Sequence, residues 1–218
     1  DTPAEFLQTL GVEGVADLAT PAGYLHVELF SITAPVIFMI FTIARGVGAI
    51  AGAERSGDME LLLANPVERS QIVWQRFVAM LASASVLAVI MWATLAVGIP
   101  IGVWSELSLW NLTQAMFSLL LVGGAFGGLA FAMSGATGRT GLSYGVVGVL
   151  AVATYIINGL AQTVESIEFL QWISPFHYYV GNDPLANGIQ VWHALVLLAI
   201  IAVGLILAVT TFQRRDLR

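Results

Sequence analysis

Long apolar stretches alternate with short polar ones along this chain of 218 residues. Five of the apolar stretches are long enough for a helix of about 20 residues, which crosses the roughly 30 Å hydrocarbon core of a bilayer. We place the predicted spans at residues 27–52, 71–103, 112–134, 141–161 and 191–212. The pattern predicts an all-α, polytopic transmembrane helix bundle that forms a single domain.

The composition supports lipid as the main solvent. Hydrophobic residues make up 58% of the chain and charged residues only 10%, whereas a soluble domain carries about 25% charged residues. The chain has no Cys, which excludes disulfides and thiol chemistry. Its net charge of −6 argues against nucleic acid as a partner.

Charge is distributed unequally between the two sides of the predicted bundle. If the five spans alternate in direction, one side receives nine of the fourteen acidic residues and no basic residue. The other side receives every basic residue of the chain: Arg45, Arg55, Arg69, Arg76, Arg139, Arg214, Arg215 and Arg218. The positive-inside rule then puts residues 53–70 and the C-terminus in the cytoplasm. The absence of Lys favours a prokaryotic plasma membrane as the location.

The N-terminal segment and one long connection fall on the acidic side. Residues 1–26 form an extracellular lead-in without a basic anchor, so we expect a further span before Asp1 and a six-span unit that lacks its first span here. Ser174-Pro175 and Asp183-Pro184 break helices within residues 162–190, which predicts a re-entrant segment of two short elements. Its aromatic residues are typical of an interfacial belt, namely Trp172, Phe176, Tyr178, Tyr179 and the nearby Trp192.

The polar connection 53–70 is predicted to contain a short amphipathic helix over 54–64. Met59, Leu62 and Leu63 share one stripe by their spacing, and Pro66 ends the helix. Interfacial helices that adsorb to lipid favour basic residues, but this one is acidic, so we interpret it as a docking element for a protein.

Small residues at four-residue spacing let transmembrane helices approach closely. The third predicted span contains two overlapping pairs within residues 123–128, and Gly48 with Gly52 and Gly141 with Gly145 form two more. We expect packing within the chain, with a dimer seam or a flexible gate as alternatives.

The sequence carries no pattern for chemistry of its own. GxxxxGK[ST], HExxH and GxSxG are absent, so we expect no ATP site, no metal site and no catalytic group. Ionisable residues are missing from the middle of the spans, where a mildly polar set could line a path for an amphipathic or lipid-like substrate. That set is Gln114, Ser118, Tyr155 and Asn158.

Two parts of the chain resemble the type-two ABC exporter permeases, the membrane subunits of multidrug, polyketide-antibiotic and sodium exporters. The run Glu54-x-x-Gly57-x-x-Glu60-Leu-Leu-Leu-Ala-x-Pro66-x-x-Arg69 looks like their cytoplasmic signature. The late stretches Ile173-Ser-Pro-Phe-His-Tyr-Tyr179, Asp183-Pro-Leu-x-x-Gly188 and Phe212-x-Arg-Arg-Asp-Leu217 are similar to their C-terminal part.

The resemblance implies a permease half that pairs with a second half (identical, homologous or fused) and with cytoplasmic ATPase subunits, which bind the ATP and Mg. The helix over 54–64 would be the coupling helix. The resemblance implies that Glu54 and Glu60 make polar contacts with the ATPase and that Met59, Leu61 and Leu62 make apolar ones. Gly57 would permit the ATPase to approach closely. Pro66 and Arg69 would fix the angle at which the chain leaves the helix. Residues Pro175, Phe176, Tyr178 and Tyr179 would form an extracellular gate.

The sequence therefore predicts the membrane-spanning subunit of an ATP-driven exporter that is not itself an enzyme. A membrane scaffold that recruits a cytoplasmic partner through the same helix, without transport, is the alternative. A membrane-embedded enzyme is a third hypothesis, which the lack of a catalytic constellation disfavours.

Overall fold

The structure, a computed structural model, describes residues 25–64, 66–101, 107–161, 164–181, 185 and 187–215. Within these ranges the chain is helical and contains no strand. Most of the predicted lead-in over residues 1–26 lies outside the described residues. The α-helices are α1 (Ala34–Val47), α2 (Ala53–Ser56), α3 (Asp58–Leu63), α4 (Arg69–Gly98), α5 (Leu109–Thr137), α6 (Thr140–Ala161), α7 (Pro175–Val180) and α8 (Val191–Arg214).

Five helices among the described residues are long and apolar enough to cross a membrane, which confirms the predicted fold class. The first runs over Glu28–Ser56, and the other four are α4, α5, α6 and α8. Each of them is at least as long as the hydrocarbon core requires.

The first span is helical without a break, although its winding changes three times. It is π-helical over Leu25–Thr33, α-helical along α1, π-helical again over Gly48–Gly52, and then continues into α2. Pro35 lies in the first turn of α1, where its missing N–H removes no hydrogen bond of that helix. The wider turns end immediately before this proline.

Helix α5 is the most deeply buried of the five spans, because glycines on two of its faces let two neighbours approach closely. A Cβ added at Gly127 would lie 2.9 Å from Cβ of Thr42 on α1. One added at Gly124 would lie 3.0 Å from Cδ1 of Ile201 on α8. Positions 123 and 127 thus face α1, and positions 124 and 128 face α8, which is the packing within the chain that we expected.

The other small-residue pairs behave differently. A Cβ added at Gly48, Gly141 or Gly145 would meet no atom within 4 Å. These glycines therefore do not serve to pack the helices of this chain against one another.

The connection between α6 and α8 folds against one end of the bundle. It contains a 3₁₀ helix over Glu165–Ile173 and then α7. Ser174 separates the two, and its hydroxyl accepts a hydrogen bond from the Phe176 N–H (3.2 Å) while donating to the Thr154 carbonyl (2.9 Å). The predicted helix break at Ser174-Pro175 is present, whereas Asp183-Pro184 lies outside the described residues.

Candidate functional site

One end of the bundle, which we call the basic end, collects the ends of most helices. Arg55 lies on α2, Arg69 begins α4, Arg139 lies between α5 and α6, and Arg214 ends α8. The short helices α2 and α3 lie at this end, between the first span and α4. The segment that we predicted as a docking element is therefore placed among the arginines.

The segment is not the single helix that we predicted over 54–64. Gly57 adopts φ +84°, a left-handed conformation that separates α2 from α3, and glycine enters this region without the steric cost that other residues meet. A Cβ at Gly57 would meet no atom of this chain within 4 Å, so the glycine is not required for packing inside the chain, and its implied role in close approach of a partner stays a prediction. Inside the chain, its role is to turn the backbone.

The break decides which side chains of α3 face outward. Met59 is only 2% exposed and packs in the core beside Ile72 and Phe77, so the apolar contact implied for it with a partner is wrong in this conformation. Glu60 is exposed, and so is Leu61, at 73%. Leu62 lies at the edge of the exposed face, and Pro66 beyond the helix is exposed as well.

Glu54 makes an ion pair with Arg215, just beyond the end of α8. Each side chain is about one-fifth exposed. The Arg215 guanidinium also donates to the carbonyl oxygens of Gly135 (3.1 Å) and Ser134 (3.5 Å) at the end of α5. Glu54, for which the resemblance implied a polar contact with a partner, thus has a polar contact inside the chain.

Two further residues complete this network. Arg69 donates through a guanidinium nitrogen to the carbonyl oxygen of Arg215 (3.0 Å). Gly138 follows α5 with φ +63°, and a Cβ there would lie 2.6 Å from both Nη1 of Arg215 and Oε2 of Glu54. The ion pair therefore occupies the space that a side chain at position 138 would fill.

A hydroxyl group explains the second π-helical turn of the first span. The Ser134 hydroxyl accepts a hydrogen bond from the Ala51 N–H (2.8 Å) and donates to the Val47 carbonyl (3.1 Å). In an α-helix these two backbone groups would bond to each other, so Ser134 is inserted into the helical ladder, a known cause of local distortion. Arg76 of α4 donates to the carbonyl of Ala49 in the same turn.

Together these bonds join the broken segment to three spans. Glu54 is held by α8 through Arg215, the π-helical turn above α2 is held by α5 through Ser134, and Arg69 ties the start of α4 to the end of α8. These bonds connect α2 and the π-helical turn before it to α4, α5 and α8.

The residues predicted to line a path lie in different environments. The Gln114 side chain accepts a hydrogen bond from the Ile189 N–H (2.9 Å), which ties α5 to the segment before α8. Tyr155 packs edge-on against Phe176, with ring centroids 5.2 Å apart. The Ser118 hydroxyl and the Asn158 amide oxygen are buried and have no hydrogen-bond partner among the described residues.

The residues predicted as a gate lie in the core at the end opposite the basic end. Phe176 packs between Phe126 (5.4 Å between centroids) and Tyr155. The Tyr179 hydroxyl donates to the Phe30 carbonyl (2.7 Å). Pro175 and Tyr178 are buried too. The interpretation of these aromatic residues as an interfacial belt is therefore wrong, because they fill the space between helices.

The two tryptophans that we assigned to the belt differ from them. Trp172 and Trp192 are exposed on the outside of the bundle.

Next to Trp172, the rings of His177 and His193 lie 5.7 Å apart. Burial lowers the pKa of His177, and His193 lowers it further, so His177 is neutral at physiological pH. No group of three metal-ligating side chains occurs in the part of the chain that the structure describes.

The sequence reasoning missed Ser134, Gly138 and the pairing of Glu54 with Arg215. The one-sided distribution of arginines placed Glu54 and Arg215 on the same side of the membrane, which is the signal that was available. It could not choose Arg215 among the several arginines there. A serine within a span rich in small residues carries no visible signal.

The structure is that of a polytopic membrane protein with five candidate spans. A short helical segment, broken at Gly57, lies at its basic end. The sequence model described as ABC-2 family transporter protein matches residues 4–217, and the chain belongs to this family. The resemblance inferred from the sequence is thus confirmed, and the chain is a membrane component of an ABC transporter. No curated protein matches the chain.

Proposed function

We propose that the chain is the permease subunit of an ATP-driven exporter and that a separate ATPase subunit docks on α3. The observation that carries this proposal is the exposed face of α3 at the basic end, which consists of Glu60, Leu61 and Leu62. The segment that contains α2 and α3 is bonded to three spans behind this face. Family membership supports the permease role, and the exposed face supports the place of docking.

The orientation follows from charge. Cytoplasmic loops are rich in basic residues, so the basic end, with α3 and the end of α8, faces the cytoplasm. The ATPase, with its ATP and Mg, is a cytoplasmic partner in this proposal. The aromatic end with α7 then faces outward and acts as the gate.

The chemistry of the exposed face suits a protein partner more than lipid. Leu61 presents a large apolar side chain beside the carboxylate of Glu60, and Pro66 continues the same exposed surface. A negative charge is unfavourable beside the anionic lipids of the cytoplasmic leaflet, but it suits a basic rim around an apolar pocket on a partner.

The bonds of Glu54, Arg69 and Ser134, which lie behind this face, transmit the displacement of α3 to the spans. Closure of the ATPase would push α3, and Gly57 is the point at which α3 turns relative to α2. Glu54 and Arg69 then transmit the displacement to α8, while Ser134 transmits it to α5. The role we propose for Glu54 is transmission inside the permease, and the polar contact with the ATPase falls to Glu60.

The cargo in this proposal is amphipathic or lipid-like. No Asp, Glu, Lys, Arg or His lies within α5 or α6, and charged groups at that depth are the usual mark of an ion path. The buried polar atoms of Ser118 and Asn158 offer weak hydrogen-bonding capacity instead. A second permease half completes the path, and the largely unburied surfaces of α4 and α6 leave room for it.

Co-purification tests the docking. We expect a nucleotide-binding subunit encoded beside this chain to co-purify with it, and Glu60→Arg or Leu61→Asp to abolish the complex. Arg139→Glu is the matched control, since it reverses an exposed charge on the neighbouring connection and should leave the complex intact. Retention of the ATPase by both α3 variants would show that α3 is not the docking site.

ATPase activity then separates transport from recruitment alone. In reconstituted vesicles, an amphipathic compound should stimulate ATP hydrolysis by the complex, and Asn158→Leu should reduce that stimulation without weakening docking. A complex that forms normally but never responds to any amphipathic compound would favour the scaffold hypothesis.

A further inference from the structure

A cavity of about 310 Å³ lies between the first span and α4, on the outside of the bundle. Arg45 and Arg76 line it, and its other walls are formed by small or apolar residues that include Gly48, Ala79 and Met80. Gly48 makes room for it, because no atom lies within 4 Å of the place where its Cβ would be. The cavity is thus a concave site lined by two arginines.

Both arginines stand at the edge of an uncharged run of sequence. No charged residue occurs between Glu28 and Arg45 in the first span, or between Arg76 and Glu106 in and after α4. In a chain that spans a membrane, the side chains that bound such runs lie at the level of the lipid headgroups. The cavity therefore lies where the hydrocarbon core ends at the basic end.

The positive charge in the cavity is incompletely balanced. Arg76 donates to the Ala49 carbonyl and interacts electrostatically with Asp58, whose carboxylate also accepts from the Ser56 hydroxyl (2.7 Å). Arg45 is exposed, and no hydrogen bond or ion pair joins its side chain to any residue in the described ranges. A guanidinium has five donors, so most of the donors in the cavity are available to a ligand.

Apolar surface leads away from the cavity toward the middle of the membrane. On the first span, Ile40 and Ile37 precede the cavity by one and two turns and are exposed. On α4, Val86 and Ile90 follow Arg76 on the same side by helical spacing and are exposed as well. A ligand with an anionic head and acyl chains would match both the cavity and this surface.

We propose that the cavity binds the phosphate group of an anionic phospholipid of the leaflet at the basic end. Arginine is the side chain best suited to phosphate oxygens, because its planar fork can make two parallel hydrogen bonds. Basic pockets between transmembrane helices at the cytoplasmic side are typical sites for anionic headgroups. The bound lipid is a resident ligand of the permease, and its binding does not depend on ATPase docking at α3.

Native mass spectrometry of the full chain, extracted from vesicles of mixed phosphatidylglycerol and phosphatidylcholine, tests the proposal. We expect preferential retention of phosphatidylglycerol. Arg45→Gln should weaken retention about fivefold, the effect of one arginine at a membrane surface. Gly48→Leu, which fills the cavity but keeps both charges, should also abolish the preference. Arg139→Gln removes an exposed charge at the same end and should have no effect.

Thermal unfolding in detergent distinguishes lipid from a free anion. Added phosphatidylglycerol should raise the melting temperature of the wild type and of Arg139→Gln, but not of Gly48→Leu, while inorganic phosphate should raise none of them. Equal protection by inorganic phosphate would assign the cavity to a soluble anion and overturn the proposal. Equal retention of both lipids, or loss of preference in Arg139→Gln, would overturn it as well.

Discussion

At the scale of single residues, the Glu54–Arg215 pair shows how few contacts hold the proposed docking segment to the bundle. The pair is partly exposed, so solvent screens its attraction. The pair contributes mainly by holding the Arg215 guanidinium in place. The same guanidinium also bonds two carbonyl oxygens at the end of α5 and lies near the Phe212 ring. Removing Arg215 takes this donor away from the Glu54 carboxylate and from both carbonyl oxygens, whereas removing Glu54 takes only one acceptor away from Arg215.

Two glycines with positive φ provide a matched test of this geometry. Gly57→Ala should reduce the free energy of unfolding by about 1–2 kcal/mol, the cost of a left-handed conformation for a residue with a Cβ. Gly138→Ala carries the same cost and in addition displaces the ion pair, which adds about 1–3 kcal/mol for the lost charge-assisted hydrogen bonds. Unfolding by denaturant in detergent micelles measures both.

The Glu54→Ala background isolates the second contribution. With the carboxylate gone, Arg215 can move away from position 138, and the extra cost of Gly138→Ala over Gly57→Ala should shrink. If the two glycine variants are equally stable in the presence of Glu54, the close packing of Gly138 against the ion pair has no energetic consequence.

Residue roles were the part of the site that the sequence could predict least. The pattern over residues 54–64 predicted one continuous helix with Met59 on its outer stripe, whereas Met59 is buried in the core. A continuous helix keeps its faces in register over 54–64, whereas the left-handed turn at Gly57 rotates α3 and points Met59 into the core.

At the scale of helices, the order of elements follows from hydrophobic length and is predicted well. The changes in winding within the first span are different, because the π-helical turn at Gly48–Gly52 depends on a serine 83 residues away from Ala51 in the chain. Periodicity within a segment cannot reveal a partner at that distance. The two faces of α5 are an intermediate case, in which the glycines were visible but their neighbours were not.

The glycines of α5 and α6 give a contrast at this scale. Gly127→Leu should unfold or strongly destabilise the chain, because even a Cβ there lies 2.9 Å from Thr42, and overpacking by further atoms costs at least 1–3 kcal/mol. Gly145→Leu should leave the melting temperature in detergent nearly unchanged, since the space beside it is open. Equal destabilisation by the two variants would contradict the proposed packing of α5.

At the scale of the whole molecule, the arginines define one end and the buried aromatic residues of α7 the other. The sequence predicted the first of these from the count of basic residues alone. It did not predict that Phe176 and Tyr179 enter the bundle, because short aromatic segments at an interface and in a core have the same composition. Their placement depends on the gap between the start of the first span, α5 and α6, which they fill.

The absence of Cys from the chain makes the orientation directly measurable. In intact cells, a membrane-impermeant maleimide should label Glu168→Cys, at the aromatic end, and should label Arg139→Cys only after the membrane is permeabilised. The parent chain provides a background without reactive thiols. Labelling of Arg139→Cys in intact cells would reverse the orientation and remove α3 from the reach of a cytoplasmic ATPase.

The hydroxyl of Ser134 has a consequence for how far the first span can stretch. A π-helical turn holds more residues per unit of axial length than an α-helical one, so rewinding Gly48–Gly52 would lengthen the span. Rewinding requires the Val47 carbonyl and the Ala51 N–H to bond each other, and Ser134 must first release both. The Ser134 hydroxyl, on a neighbouring helix, therefore opposes lengthening of the first span at this turn.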